Sequence, residues 1–386
     1  MTEQSFEETY SWSIPYDDGS TGVEREDVSS GVTITKPFDP TLIRVSPWAT
    51  TVDLLLKRIA QGALDLAPGF QRKGGIWTKG TQSRLIESLL IRIPIPALYI
   101  DATNEDCWLV VDGLQRLTTL KRFVIDKELK LSGLEFLIQL EGVTYADLDL
   151  RLRRRILETQ MYVYKIEEGT PSDVKFNIFK RINTGGLPLS AQEIRHALNQ
   201  GEATKFLGRL VQSEEFLSAT ARGISDKRMA AQECVLRFVA FTLTPHTDYK
   251  GGDLDRFLNG TLARMNEMSK VRLAELEHQF LQTMVAARDI FDNDAFRKRY
   301  DKRPERYPIN KALFEAWSVN LGKLSEDQIM VLKREKEVLK DKFIELMSRP
   351  EFSDAVSQGT GDATKVNFRF REIEQLIQEV LDDSSC

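Results

Sequence analysis

Residues 107–120 read CWLVVDGLQRLTTL: an apolar run breaks at Asp112 and Gly113, then apolar residues return at Leu114, Leu117, Leu120 and Val124. A short apolar run followed by residues three and four apart is the pattern of a buried strand that turns into a helix. Asp112 and Gly113 then occupy the turn, with Gln115 and Arg116 in the first turn of the helix. Upstream, ALYID (97–101) and CWLVV (107–111) flank the polar tetrapeptide TNED and predict a hairpin. TKGTQSRLIESLLIR before them is a helix with Leu85, Ile86, Leu89 and Leu90 facing a core, and IPIP (93–96) must end it, because Pro94 and Pro96 cannot continue it. TTVDLLLKRIA (50–60) predicts an earlier amphipathic helix.

Downstream, TQMYVYKI (159–166) reads as a strand and PSDVKFNIFKRIN (171–183) as a helix opened by Pro171. SAQE (190–193) is a capping box that starts another helix. Beyond about residue 200 the pattern is helical throughout and no fixed-period repeat appears. Strands mixed with helices followed by helices alone predict an α+β domain over 46–200 and an all-α region over 201–386. Residues 1–45 read as an acidic, disordered tail with the interleaved aromatics Phe6, Tyr10, Trp12 and Tyr16.

Composition narrows the function classes. The formal net charge is −5, yet residues 1–30 carry eight acids against Arg25 alone, so the rest of the chain sums to +2. A nearly neutral body can hold a basic groove, and RLRRR (151–155) and RKRYDKRPERY (297–307) are the segments that could line one. Each also reads as an ordinary solvated face. No apolar run is long enough to span a bilayer, the N-terminus lacks the pattern of a signal peptide, and three scattered cysteines form no disulfide framework. These features predict a cytoplasmic protein that does not act in a membrane.

At the DG turn, Gly113 lets a ligand approach the backbone, and the amides that open a helix favour negative charge. Arg116 adds a planar fork suited to phosphate oxygens, Asp112 could hold Mg²⁺, and Gln115 could orient a water. The same residues also suit a common turn with a local Asp–Arg ion pair. GFQRKGGIW places Gln71 and Arg72 in a glycine-bearing loop, and FKRINTGG places Arg181 and Asn183 at a helix end. Three segments that each combine arginine, an amide side chain and glycine suggest a convergent anion-binding pocket. His196, His246 and His278 are too scattered for a metal-nuclease motif.

FQRKGGIW (70–77), RLIESLLIRIPIP (84–96), DGLQRLTT (112–119) and FKRINTGGLPLSAQEIRHAL (179–198) occur in the order and spacing of the N-terminal domain family of GmrSD-type modification-dependent restriction enzymes, and NFRFREI (367–373) resembles that family's late arginine segment. The resemblance implies a ParB/sulfiredoxin-like fold with a DGQQR motif that binds and hydrolyses a nucleoside triphosphate with Mg²⁺. It makes Asp112, Gly113, Gln115 and Arg116 the nucleotide-site candidates, with Gln71, Arg72, Arg181 and Asn183 around them; side-chain chemistry then assigns catalytic roles to Asp112 as the metal ligand, Gln115 at the attacking water and Arg116 at the phosphates. The first glutamine of the motif is Leu114 here, which places hydrolysis in question while phosphate binding stays possible. The function implied is a DNA-targeting restriction or anti-phage component, with nuclease activity weak in this chain or supplied by a partner chain. DNA contacts are expected from Arg297, Lys298, Arg299, Lys302, Arg303 and Arg306, and the chain could assemble as a homo-oligomer. The competing reading is a non-hydrolysing nucleotide- or DNA-sensing adaptor, or an antitoxin-like scaffold.

Overall fold

The computed structural model describes residues 21–24, 26, 40–66, 77–182, 189–250, 253–302 and 306–384. They form two compact units, residues 36–200 and a second made from 201–386 with the N-terminal residues up to 35.

The first unit is built on a five-stranded mixed sheet of β1 (Val45–Thr51), β2 (Leu64–Asp65), β3 (Leu98–Asp101), β4 (Trp108–Asp112) and β5 (Gln160–Ile166), in the order β1-β5-β3-β4-β2. The predicted hairpin is present: β3 and β4 are antiparallel, with a register shift between Tyr99 and Ile100. β5 runs parallel to β3 and antiparallel to β1. β1 has no counterpart in the sequence reading, because VSPWATT carries a proline and no clean alternation. Its edge position tolerates Pro47, which has no N–H to give to a ladder.

Four helices cover one face: α1 (Val52–Ala60), α2 (Lys79–Leu90), α3 (Leu114–Leu120) and α4 (Leu150–Leu157). Val52, Leu55, Ile86, Leu89, Leu117, Leu120 and Ile156 meet Leu98, Ile100, Val110, Met161 and Val163 in one core. Helix α1 starts two residues later than the sequence pattern suggests, since Thr51 ends β1 and caps the helix by accepting from Leu54 N. On the other face α5 (Ser172–Ile182) and α6 (Ala191–Leu198) bring Phe176, Phe179 and Ile194 against Val111 and Ile166. Ser190 and Glu193 form the capping box predicted from SAQE.

The second unit contains α7 (Glu202–Leu210), α8 (Glu214–Ala219), α9 (Ala230–Leu243), α10 (Leu254–Asn266), α11 (Lys270–Phe291), α12 (Lys311–Leu321), α13 (Glu326–Arg334), α14 (Lys336–Ser348), α15 (Pro350–Ser357) and α16 (Ala363–Asp383). Its centre is α12, nearly every residue of which is buried. Trp317 packs edge-on against Phe291 and Phe343, and Phe314 against Phe216 and Phe296.

The expectation of a structureless terminus over 1–45 is corrected at residues 21–24 and 26. Val23 bridges Ile309 in parallel, Glu24 N donates to the Ile309 carbonyl at 2.8 Å, and Ser225 N donates to the Thr21 carbonyl at 2.8 Å. Gly22 makes the approach possible: its φ is +72°, and an added Cβ would lie 1.7 Å from the Gly223 carbonyl oxygen. The acids that made this segment look disordered are its anchors, because Glu24 and Glu26 meet buried cations of the helical unit. The aromatics at Phe6, Tyr10, Trp12 and Tyr16 lie outside the described residues.

Candidate functional site

β4 stops at Asp112 because Gly113 takes φ +102°, a conformation that side-chain-bearing residues avoid. Space enforces the same choice, since a Cβ on Gly113 would come within 2.1 Å of Leu98 Cδ2. The turn therefore sits directly on the first residue of β3. From there α3 runs inward on Leu117 and Leu120, both fully buried, with Leu114 packed against the same core.

Arg116, one helical turn after Asp112, donates to Asp112 Oδ2 at 2.8 Å, to the Ala97 carbonyl at 3.2 Å and to the Pro96 carbonyl. Pro96 and Ala97 immediately precede β3. One guanidinium thus ties the entrance of β3 to the exit of β4, joining the IPIP segment to the DGLQR turn. In the sequence, IPIP reads as the end of α2 and as part of a family-like motif, with nothing to link it to Arg116. The local Asp–Arg pair is present, and the guanidinium suited to phosphate oxygens is engaged with Asp112 and two backbone carbonyls. Burial pulls the Arg116 pKa below the ordinary arginine value, with Asp112 opposing that pull.

Asp112 keeps 36% of its side chain exposed, against 11% for Arg116, so the acid is the open member of the pair. Gln115 is half-buried, and its carbonyl accepts from Thr119 Oγ1 at 2.7 Å. Thr119 is buried and Arg122 donates to Gln82 Oε1 at 3.1 Å, so this side of the helix faces α2 and not only solvent. Arg181 is exposed in the last turn of α5. Gln71, Arg72 and Asn183 lie outside the described residues.

Among the described residues no group of three or more His, Cys, Asp or Glu side chains could hold a metal. Asp112 is a single hard carboxylate. That fits a magnesium ion that takes its remaining ligands from phosphate and water, and it does not fit a metal held by protein alone.

The segment expected to contact DNA is largely committed to the protein itself. Arg297 is buried and donates to the carbonyls of Asn293, Tyr307 and Thr220. Lys298 is buried on Glu24 at 2.6 Å and Ser357 at 2.7 Å. A buried guanidinium or ammonium with these partners cannot reach a nucleic-acid backbone, so the DNA-binding expectation is corrected at both residues. Arg299 and Arg306 share Asp294, and Lys302 pairs with Asp341 at 2.7 Å. Arg303 lies outside the described residues. In the other basic stretch, Arg155 donates to the Leu90 carbonyl at 2.6 Å and Arg153 to the Ala146 carbonyl, leaving Arg151 and Arg154 exposed on α4.

The first unit is therefore a mixed-sheet α/β domain whose polar turn follows its central hairpin. Residues 52–199 match the model described as GmrSD restriction endonuclease, N-terminal domain. No curated protein matches the chain. Among the described residues no helix is long and apolar enough to cross a membrane.

Proposed function

We propose that the chain is a nucleotide-dependent component of a DNA-targeting restriction system, with the Asp112–Arg116 turn as its nucleotide site and DNA cleavage weak in this chain or supplied by a partner. The observation that carries this reading is the half-open carboxylate of Asp112, held in place by an arginine that is itself anchored to two backbone carbonyls. Asp112 would be the protein's ligand to magnesium, which when bound neutralises charge on the phosphates. Gln115 would orient water beside it. Arg116 acts as a positioning residue for Asp112, and the phosphate contacts fall to Arg72, with Gln71, Arg181 and Asn183 around the rest of the nucleotide. Leu114 faces the core, so replacing the family's first glutamine alters the packed side of the turn. The two-faced mixed sheet is consistent with a ParB/sulfiredoxin-like fold.

A second reading has its own support. With Arg116 committed to carbonyls and Asp112, the described part of the turn offers no other cation to stabilise a departing phosphate, which favours an adaptor that binds nucleotide without turnover.

A thermal-shift panel of ATP, GTP, CTP and UTP with Mg²⁺ on wild type, Asp112→Asn and Gln115→Ala tests both. A ligand that binds only the folded form raises its apparent stability. Stabilisation by one nucleotide, lost in Asp112→Asn, is the expected result. Phosphate release that disappears in Gln115→Ala establishes hydrolysis, whereas binding without release establishes the adaptor. No shift with any nucleotide well above millimolar concentration removes the nucleotide site altogether.

A further inference from the structure

The helical unit holds a cluster of buried charges that the nucleotide reading does not use. Arg237 from α9 is fully buried, as are Glu315 from α12 and Arg369 from α16. Arg237 bonds Glu233 at 2.9 Å and Glu315 at 3.3 Å, and Arg369 grips Glu315 and the Thr360 carbonyl. Lys311 joins Glu233 at 3.1 Å. Lys298 and Asn310 lie at a second position beside Ser357 and the Val356 carbonyl.

Among the described residues of this cluster, the helical unit contributes four cations (Arg237, Lys298, Lys311 and Arg369) and two acids (Glu233 and Glu315). The two missing negative charges come from the N-terminal segment. Glu24 and Glu26 stand two residues apart in the sequence, and the side chain of each meets buried cations of the helical unit. Glu26 accepts from both Arg237 terminal nitrogens and from Thr360 Oγ1 at 2.7 Å, with Lys311 at 3.6 Å. Glu24 accepts from Lys298 at 2.6 Å and from Asn310 Nδ2 at 3.0 Å.

The donors are fixed by other duties. Asn310 caps α12 through its Oδ1, which orients its amide toward Glu24, and the backbone of Thr360 is held by Arg369. By contrast, the apolar contribution of the segment is small. Val23 is buried but is not part of the continuous hydrophobic core of the helical unit. Among the described residues, the segment is held mainly by charge and a few backbone bonds.

We propose that this cleft is a receptor for an extended Glu-x-Glu peptide, filled in the resting chain by residues 21–26, and that an acidic peptide from another polypeptide can take their place. Exchange releases the N-terminal segment from the helical unit. The ligand class follows from the excess of two positive charges, the two-residue spacing of the carboxylates and the matched hydroxyl and amide donors. This proposal is independent of the nucleotide site.

The test uses the full chain with a protease site inserted between residues 27 and 35, so that the segment can leave after cleavage. Fluorescein-labelled TGVERE, the sequence of residues 21–26, is then added and its anisotropy followed. Saturable binding is expected, competed by unlabelled TGVERE and at least tenfold weaker when both glutamates are glutamine. Lys298→Met in the same background should weaken binding at least fivefold, with the helical signal in circular dichroism unchanged. Absence of labelled-peptide uptake after complete cleavage would show that the segment is a permanent part of the fold and would overturn the proposal. Equal uptake of the diglutamine peptide would overturn the assignment of a carboxylate receptor.

Discussion

Asp112–Arg116 in the mixed-sheet domain and Glu26–Arg237 in the helical unit pair the same two kinds of charge in opposite settings. The first is local, four residues apart, with its acid 36% exposed. The second joins residues 211 apart, and both partners are buried. A local pair with an open acid can orient a carboxylate for a ligand without the fold depending on it. A distant buried pair is costly to break one-sidedly, because each charge has lost water and depends on the ions packed around it, here Glu233 and Glu315 for Arg237 and Lys311 for Glu26.

Arg237→Met should show the difference most strongly. It leaves Glu26 and Glu233 buried with less compensation, at a cost of about 3–5 kcal/mol. Urea denaturation should show a helical unit that is grossly destabilised or unfolded, and a loss under about 1 kcal/mol would equate the two pairs. Gly113→Ala comes next, since it combines a disfavoured φ with a clash on Leu98. Its expected cost is roughly 1–3 kcal/mol, confined to the transition of the mixed-sheet domain. Arg116→Ala should cost about 1–3 kcal/mol by leaving the Pro96 and Ala97 carbonyls without their donor. Asp112→Asn should cost no more than about 1 kcal/mol of stability while abolishing the nucleotide-induced shift. That separation between stability and ligand response is the signature of an acid retained for binding.

Acid should act on the buried pair in a defined direction. Burial alone would raise the Glu26 pKa, but Arg237 and Lys311 outweigh it against the opposition of Glu233, leaving the carboxyl below the ordinary glutamate value. Glu315 and Arg369 complete the charged groups around that cluster. A carboxyl with a depressed folded pKa contributes stability that is present above its unfolded value and lost as pH falls through the folded one. The helical unit should therefore weaken below the ordinary glutamate range, and Glu26→Gln should flatten that part of the pH–stability curve. An identical acid limb in the variant would remove Glu26 from the account.

The sequence was most informative where structure is local. The strand-to-helix turn at 112–116, the hairpin before it and the capping box at 190–193 all follow from residues within a few positions of each other. β1 was hidden because an edge strand needs no alternation and can carry Pro47. The basic run at 297–306 looked available because linear sequence does not show that Thr220, Tyr307 and Glu24 are waiting for Arg297 and Lys298. Likewise, an acidic segment has the composition of a tail until its cationic partners are known. IPIP and DGLQR are each recognisable, but Arg116 joins them across 20 positions by bonding a backbone carbonyl, which leaves no mark in the sequence.

The clasp at Glu24 and Glu26 also sets an order of events during synthesis. Glu26 binds Thr360, 334 positions later, and Glu24 binds Asn310, 286 positions later. At roughly 5–20 residues per second, Glu26 waits on the order of 20–70 s before Thr360 has been made. All of residues 36–200 emerge in that interval, so the mixed-sheet domain can fold before the helical unit closes. The earliest described residues of this chain are thus among the last to reach their partners, and throughout translation their carboxylates remain open to any cationic surface nearby.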